Sequence, residues 1–116
     1  MPLVLSKPVQ GGLGSVLGYP STYTVPPNTQ TILVQSSGIS AKWIVTITDQ
    51  PNTKAQAFEI LAVKVGTTVS YNSYGIVGDS LNFTLEVSIQ SGLITISVIN
   101  HESFDFVINI ANIKTT

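Results

Sequence analysis

Between residues 81 and 110 apolar and polar side chains alternate with a period of two, which sends one set to each face of an extended strand. Leu81, Phe83, Leu85, Val87 and Ile89 share one side, with Asn82, Thr84, Glu86, Ser88 and Gln90 on the other. After a Ser91-Gly92 turn the pattern resumes at Ile94, Ile96 and Val98, and after a short loop at Phe104, Phe106, Ile108 and Ile110. The spacing predicts a three-stranded antiparallel meander with one apolar face. Such a face must be covered, so the rest of the chain is expected to supply a second layer.

Upstream segments read the same way. In residues 30–36, Ile32 and Val34 alternate with Thr31, Leu33 and Gln35; in 41–49, Trp43, Val45 and Ile47 share a face opposite Ile44, Thr46 and Thr48. Trp43 on an apolar strand face is expected to anchor the core rather than stack on a ligand. After a turn at 49–53, the stretch 54–65 is apolar on both parities, with Phe58, Ile60 and Ala62 on one side and Leu61, Val63 and Val65 on the other. That predicts a central strand covered on both faces, or a bulge near Ile60 that switches them. Gly66-Thr67-Thr68 turns the chain into a weaker strand, 69–74, and Gly78-Asp79 leads into the meander. No stretch has the helical period. The predicted fold is all-β: an antiparallel β-sandwich, or a small barrel, of about 7–8 strands. Its expected core is Trp43, Val45, Ile47, Ile60, Phe83, Leu85, Val87, Ile96, Val98, Phe106 and Ile108.

Residues 1–28 differ. Pro2, Pro8, Pro20, Pro26 and Pro27, with Gly11, Gly12, Gly14 and Gly18, deny them a helix or a central strand. They are expected to form an extended N-terminal arm (1–28) ahead of the sandwich domain (29–116). The arm carries Leu3, Val4, Leu5, Val9, Leu13, Val16, Leu17, Tyr19 and Tyr23, more apolar material than a segment left in water needs. Residues 3–5 and 21–25 suit addition to a sheet edge, on this chain or a neighbour. These nine side chains are the candidate assembly contacts, and the alternative is a frayed terminus.

Composition narrows the chemistry. Of 116 residues only 9% are charged, the formal net charge is −1, and arginine is absent, so the bidentate grip that phosphates favour is missing. Five scattered lysines make no basic patch, and no nucleic-acid partner is expected. Without cysteine there is no disulfide, thiolate metal site or thiol nucleophile. No apolar run approaches the roughly 18 residues of a membrane span, and the first residues lack a signal-peptide pattern. The expectation is a protein in the cytosol of the cell that makes it, with no membrane partner and a Thr-, Ser-, Asn- and Gln-coated surface suited to packing in an assembly.

Candidate chemistry is thin. His101 lies beside Glu102 and Asp105, but no nucleophile elbow surrounds any serine, and a solvated loop histidine is the simpler reading. One histidine cannot build a zinc site, and no Asp-rich loop has calcium spacing. Gly11-Gly12-Leu13-Gly14 lacks the Lys-Ser/Thr ending of a phosphate loop. No catalytic residue, metal or cofactor is expected. Tyr71 and Tyr74, beside Asn72 and Ser73, are the one candidate ligand platform, which would suit a carbohydrate- or receptor-binding β-sandwich module.

The stretch STYTVPPNTQTILVQS at 21–36 resembles the opening of small β-sandwich domains in tailed-bacteriophage virion proteins. FEILAVKVGTTVSYNSYGIVGD at 58–79 is similar to the EILA-x-x-x-GTTV-x-x-x-x-YG-x-x-G segment of that class, and the closing strands with their NIKTT tail also fit. The resemblance implies a non-enzymatic structural protein located in the virion: a capsid decoration, neck, baseplate, tail or fibre-associated module. It would assemble through its arm and neutral β surface with other virion proteins and as a homo-oligomer, a trimer among the options.

Overall fold

The computed structural model describes residues 15–17 and 21–115. It holds nine strands: β1 (Ser15–Leu17), β2 (Ser21–Val25), β3 (Gln30–Ser36), β4 (Ser40–Asp49), β5 (Lys54–Val65), β6 (Thr68–Gly78), β7 (Phe83–Gln90), β8 (Leu93–Asn100) and β9 (Phe106–Thr115). No helix occurs among the described residues. A six-stranded sheet runs β1-β9-β4-β5-β6, with β2 also on β9, and a three-stranded sheet runs β3-β8-β7. All pairs are antiparallel.

Tight turns fix the registers. Ser91 and Gly92, at φ 52° and 78°, make the two-residue connection between Gln90 and Leu93, the primed turn whose twist matches its strands. Gly66, at φ 63°, opens the equivalent turn between Val65 and Thr68. Between β4 and β5, buried Asp49 holds the loop through Asn52, whose side-chain amide donates to Oδ2 at 2.9 Å.

The core lies between the sheets. Trp43, Val45 and Ile47 of β4 and Ile60 of β5 meet Ile94, Ile96 and Val98 of β8, with Phe106, Ile108 and Ile110 of β9. Nearly all of the expected core is buried. Phe83 and Leu85 are half-buried instead, and Phe83 stacks on Phe58 with ring centroids 5.8 Å apart.

Three expectations change. The last strand does not continue the meander: β9 leaves the β7–β8 hairpin and pairs with β4 and β2 in the other sheet. Phe104, expected inward, therefore sits in the crossing loop and is exposed. In β3 the register shifts between Ile32 and Val34, so Leu33 turns inward and Ile32 outward. In β5 the faces do not switch: Gln56, Phe58, Ile60 and Ala62 point inward, and Leu61, Val63 and Val65 stay on the exposed side. Within the segment 1–28, residues 21–25 add to a sheet edge of this chain, one of the two expected placements, and 15–17 do so too. β1 and β2 follow one another along β9, and Val25 is fully buried.

Asn100 secures the crossing from β8 to β9. Its buried side-chain amide donates to the carbonyls of Val25 (2.9 Å) and Phe104 (2.7 Å), and its Oδ1 accepts from the Glu102 N–H (2.7 Å). Asn100→Ala leaves those groups unpaired, at about 1–3 kcal/mol for each that stays buried. Phe106→Ala opens a cavity between the sheets and is expected to cost about 3–5 kcal/mol. Phe83→Ala, at a half-buried ring, is expected to cost less; urea denaturation of the three variants gives the comparison.

Candidate functional site

The outer face of the six-stranded sheet holds a polar cluster and an apolar stripe side by side. Lys42 on β4 pairs in register with Leu61, and Glu59 pairs with Tyr74 on β6, so the three polar side chains converge diagonally. Lys42 Nζ lies 3.1 Å from Glu59 Oε1 and 5.8 Å from the Tyr74 ring centroid, and the Tyr74 hydroxyl donates to Glu59 Oε1 at 3.1 Å. Tyr74 and Glu59 hold the Lys42 ammonium above its ordinary pKa. Lys42 and then Tyr74 hold the Glu59 carboxyl below the usual carboxylate range, against an opposing effect of desolvation.

Next along β5 comes the stripe. Leu61, Val63 and Val65 are 49%, 40% and 60% exposed on one face of a strand whose opposite face is core. Ile39, in the bend before β4, is 72% exposed, and its carbonyl accepts at 2.7 Å from the N–H of Lys64, whose side chain reaches across to the Gly92 carbonyl of the other sheet. β6, beyond the stripe, is the last strand of its sheet and carries no charged residue and no proline over its eleven positions.

The outer face of the three-stranded sheet is mostly polar, with Glu86 and Ile32 also on it. Gln30 Nε2 donates to Glu86 Oε1 (2.7 Å) and Ser97 Oγ (3.2 Å), and Gln35 Nε2 donates to Thr95 Oγ1 (3.1 Å). These bonds tie β3 and β7 to the central β8 across its outward side.

Of the expected sites, Tyr71 and Tyr74 do not combine. Tyr74 opposes Glu59 and Tyr71 opposes Ala62, so they lie on opposite faces of β6 and offer no common platform. His101 is exposed, with Nε2 2.7 Å from Thr84 Oγ1, while Glu102 turns away to accept from the Asn82 N–H at 2.9 Å. No carboxylate meets the His101 ring among the described residues, and no group of three metal-ligating side chains is found there. Of the assembly contacts, Leu3, Val4, Leu5, Val9, Leu13 and Tyr19 lie outside the described residues. The backbones of Val16 and Leu17 pair with β9, and Tyr23 packs against this chain's core.

Over its whole length the chain matches part of the tailspike protein of Acinetobacter phage vB_ApiP_P1, with a TM-score of 0.50 and 12% sequence identity. The likeness is one of fold. The chain spans about a quarter of that tailspike chain, covering 25% of it. No protein-family model matches, and neither does any curated protein.

The polar cluster escaped the sequence reading because it spans three strands, and its registers are set by turns rather than by any local motif. The stripe was visible as the second apolar parity of residues 54–65, though its exposure was not.

Glu59 gives the cluster a pH signature. Because its folded pKa is lowered, its stabilisation is present above the unfolded carboxylate pKa and is lost as pH falls through the lowered value. Lys42, with a raised pKa, contributes below its unfolded pKa and loses that contribution as pH rises through the raised one. Glu59→Gln is expected to flatten the acid-side fall of the urea midpoint, with the difference from wild type shrinking in high salt because the pair is exposed to water.

Proposed function

We propose that the protein is a non-enzymatic structural component of a phage virion, a capsid-decoration or tail- and baseplate-associated module that assembles as copies. The observation that carries this reading is the two-sheet fold, which matches part of a phage tailspike along the chain's full length. Two physical features support it. The exterior is nearly uncharged and coated with amides and hydroxyls, so copies repel one another little. Among the described residues, exposed apolar surface is concentrated around β5 and β6, where six of the nine exposed large hydrophobics lie, as expected of a part that buries surface on neighbours. In this reading the partners are other virion proteins and further copies, with a trimer as one closed arrangement. The chain is made in the host cytoplasm and ends in the particle.

A second reading, a receptor- or carbohydrate-binding module carried on the particle, is favoured by the half-exposed Tyr74 ring flanked by Lys42 and Glu59. It shares the virion location and differs in what the outer face contacts.

Mass spectrometry of gradient-purified particles from a phage encoding the chain tests the location. The chain is expected at a fixed copy ratio to the major capsid or tail proteins. Its recovery only from the soluble lysate, with none in washed particles, would overturn the structural role.

A further inference from the structure

The stripe is apolar and open to water, the N-terminal segment is apolar in sequence, and the sheet brings the stripe and the segment's point of entry to the same end. Strand β5 is apolar on both parities, the pattern of a strand covered on both faces, yet Leu61, Val63 and Val65 are open to water. Residues 1–14 carry Leu3, Val4, Leu5, Val9 and Leu13, and they join the sheet at Ser15. Ser15 pairs with Thr115, two residues past the Ile113 that opposes Lys42, and Lys42 opposes Leu61. The entry point is therefore level with Val63.

We infer that Leu61, Val63 and Val65 form the acceptor for residues 3–9 of a neighbouring copy. This deepens the structural role proposed above and rests on it, because it names the surface through which copies join. The geometry favours a neighbour over the chain's own segment. Ser15 lies on the β1 edge of the six-stranded sheet, and the stripe lies one strand in from the opposite β6 edge. The chain's own stripe is three strand spacings away across β9 and β4, about 14 Å at the usual interstrand distance. A neighbour standing with its β6 beside this β1 brings its stripe within two spacings, about 10 Å.

That edge can receive a neighbour. An uncharged, proline-free strand lacks two of the devices that usually blunt a sheet edge, and its bulge at 75–76 lies beyond the residues 68–72 that pair with Leu61, Val63 and Val65. On the opposite side, β2 spans only five residues, with Pro20 before it and Pro26 after it. The contact joins two different surfaces head to tail, so its repetition closes a ring or extends a stack.

The absence of cysteine makes disulfide trapping unambiguous. Leu5→Cys in one tagged population and Val63→Cys in a second, mixed and mildly oxidised, are expected to give a covalent heterodimer as the main product. Ser88→Cys, on the outer side of the other sheet, replaces Val63→Cys as the control and is expected to give none. A chain carrying both Leu5→Cys and Val63→Cys that closes only on itself, as a covalent monomer, overturns the neighbour assignment. So does equal trapping by the Ser88 control, or no trapping at all. In parallel, Leu61→Lys with Val63→Lys, at exposed positions, is expected to abolish the oligomer in sedimentation while preserving the melting temperature; an unchanged oligomer also overturns the inference. Either failure leaves the particle measurement untouched, so the docking surface and the virion role are judged separately.

Discussion

The structure depends on two layers of unequal width sharing one dry interior. Three strands lie over a sheet five strands wide, so the narrow layer cannot roof the whole of the broad one. Burial is deepest where both are present: β8 is buried along most of its length, and the inward residues of β4 and β9 meet it. Toward β6 the cover runs out, and that strand is exposed at most of its positions. The same mismatch that closes the core thus creates an open margin, with the apolar side of β5 beside it.

Closing such a core requires the chain to change layers, and it does so four times among the described strands: between β2 and β3, β3 and β4, β6 and β7, and β8 and β9. Each crossing must satisfy backbone groups that leave one ladder without entering another. At the last crossing Asn100 supplies both donors and an acceptor from one buried amide. At the β6–β7 crossing, Gly78 at φ +94° passes so close to the Ala55 carbonyl that a Cβ would collide with it. There Gln56 Oε1 accepts from the Leu81 N–H inside the protein. Side-chain amides and a glycine therefore hold the points where the sheets exchange strands.

Much of the fold was legible because strand burial has a period of two. Trp43, Val45 and Ile47 were placed inward from parity alone, and the Ser91-Gly92 hairpin from its turn residues. Parity fails where one residue is inserted without a glycine or proline to mark it, as at Leu33, where a single bulge reverses the face of β3. It is also silent on which sheet a strand joins: β9 alternates as expected, but its partners β2 and β4 lie far away in the chain. For the site, Tyr71 and Tyr74 stand three apart, and that spacing alone already put them on opposite faces. The Lys42–Glu59–Tyr74 cluster was unreadable because it needs two registers at once. Apolar residues on both parities of β5 were read as burial, whereas one set faces outward.

The position of β9 bears on how the molecule comes into being. This strand is the ninth to be synthesised, yet it sits inside the broad sheet, with Val25 bonded opposite Phe106. Until residues 106–115 have left the ribosome, β2 and β4 have no shared neighbour and the interior lacks three of its large side chains. Pairings so distant along the chain form slowly, because a long loop must close before any contact rewards it. The nascent polypeptide therefore passes through a stage with sticky, unpaired strands, and a sequence poor in charge offers little repulsion to keep several such intermediates apart.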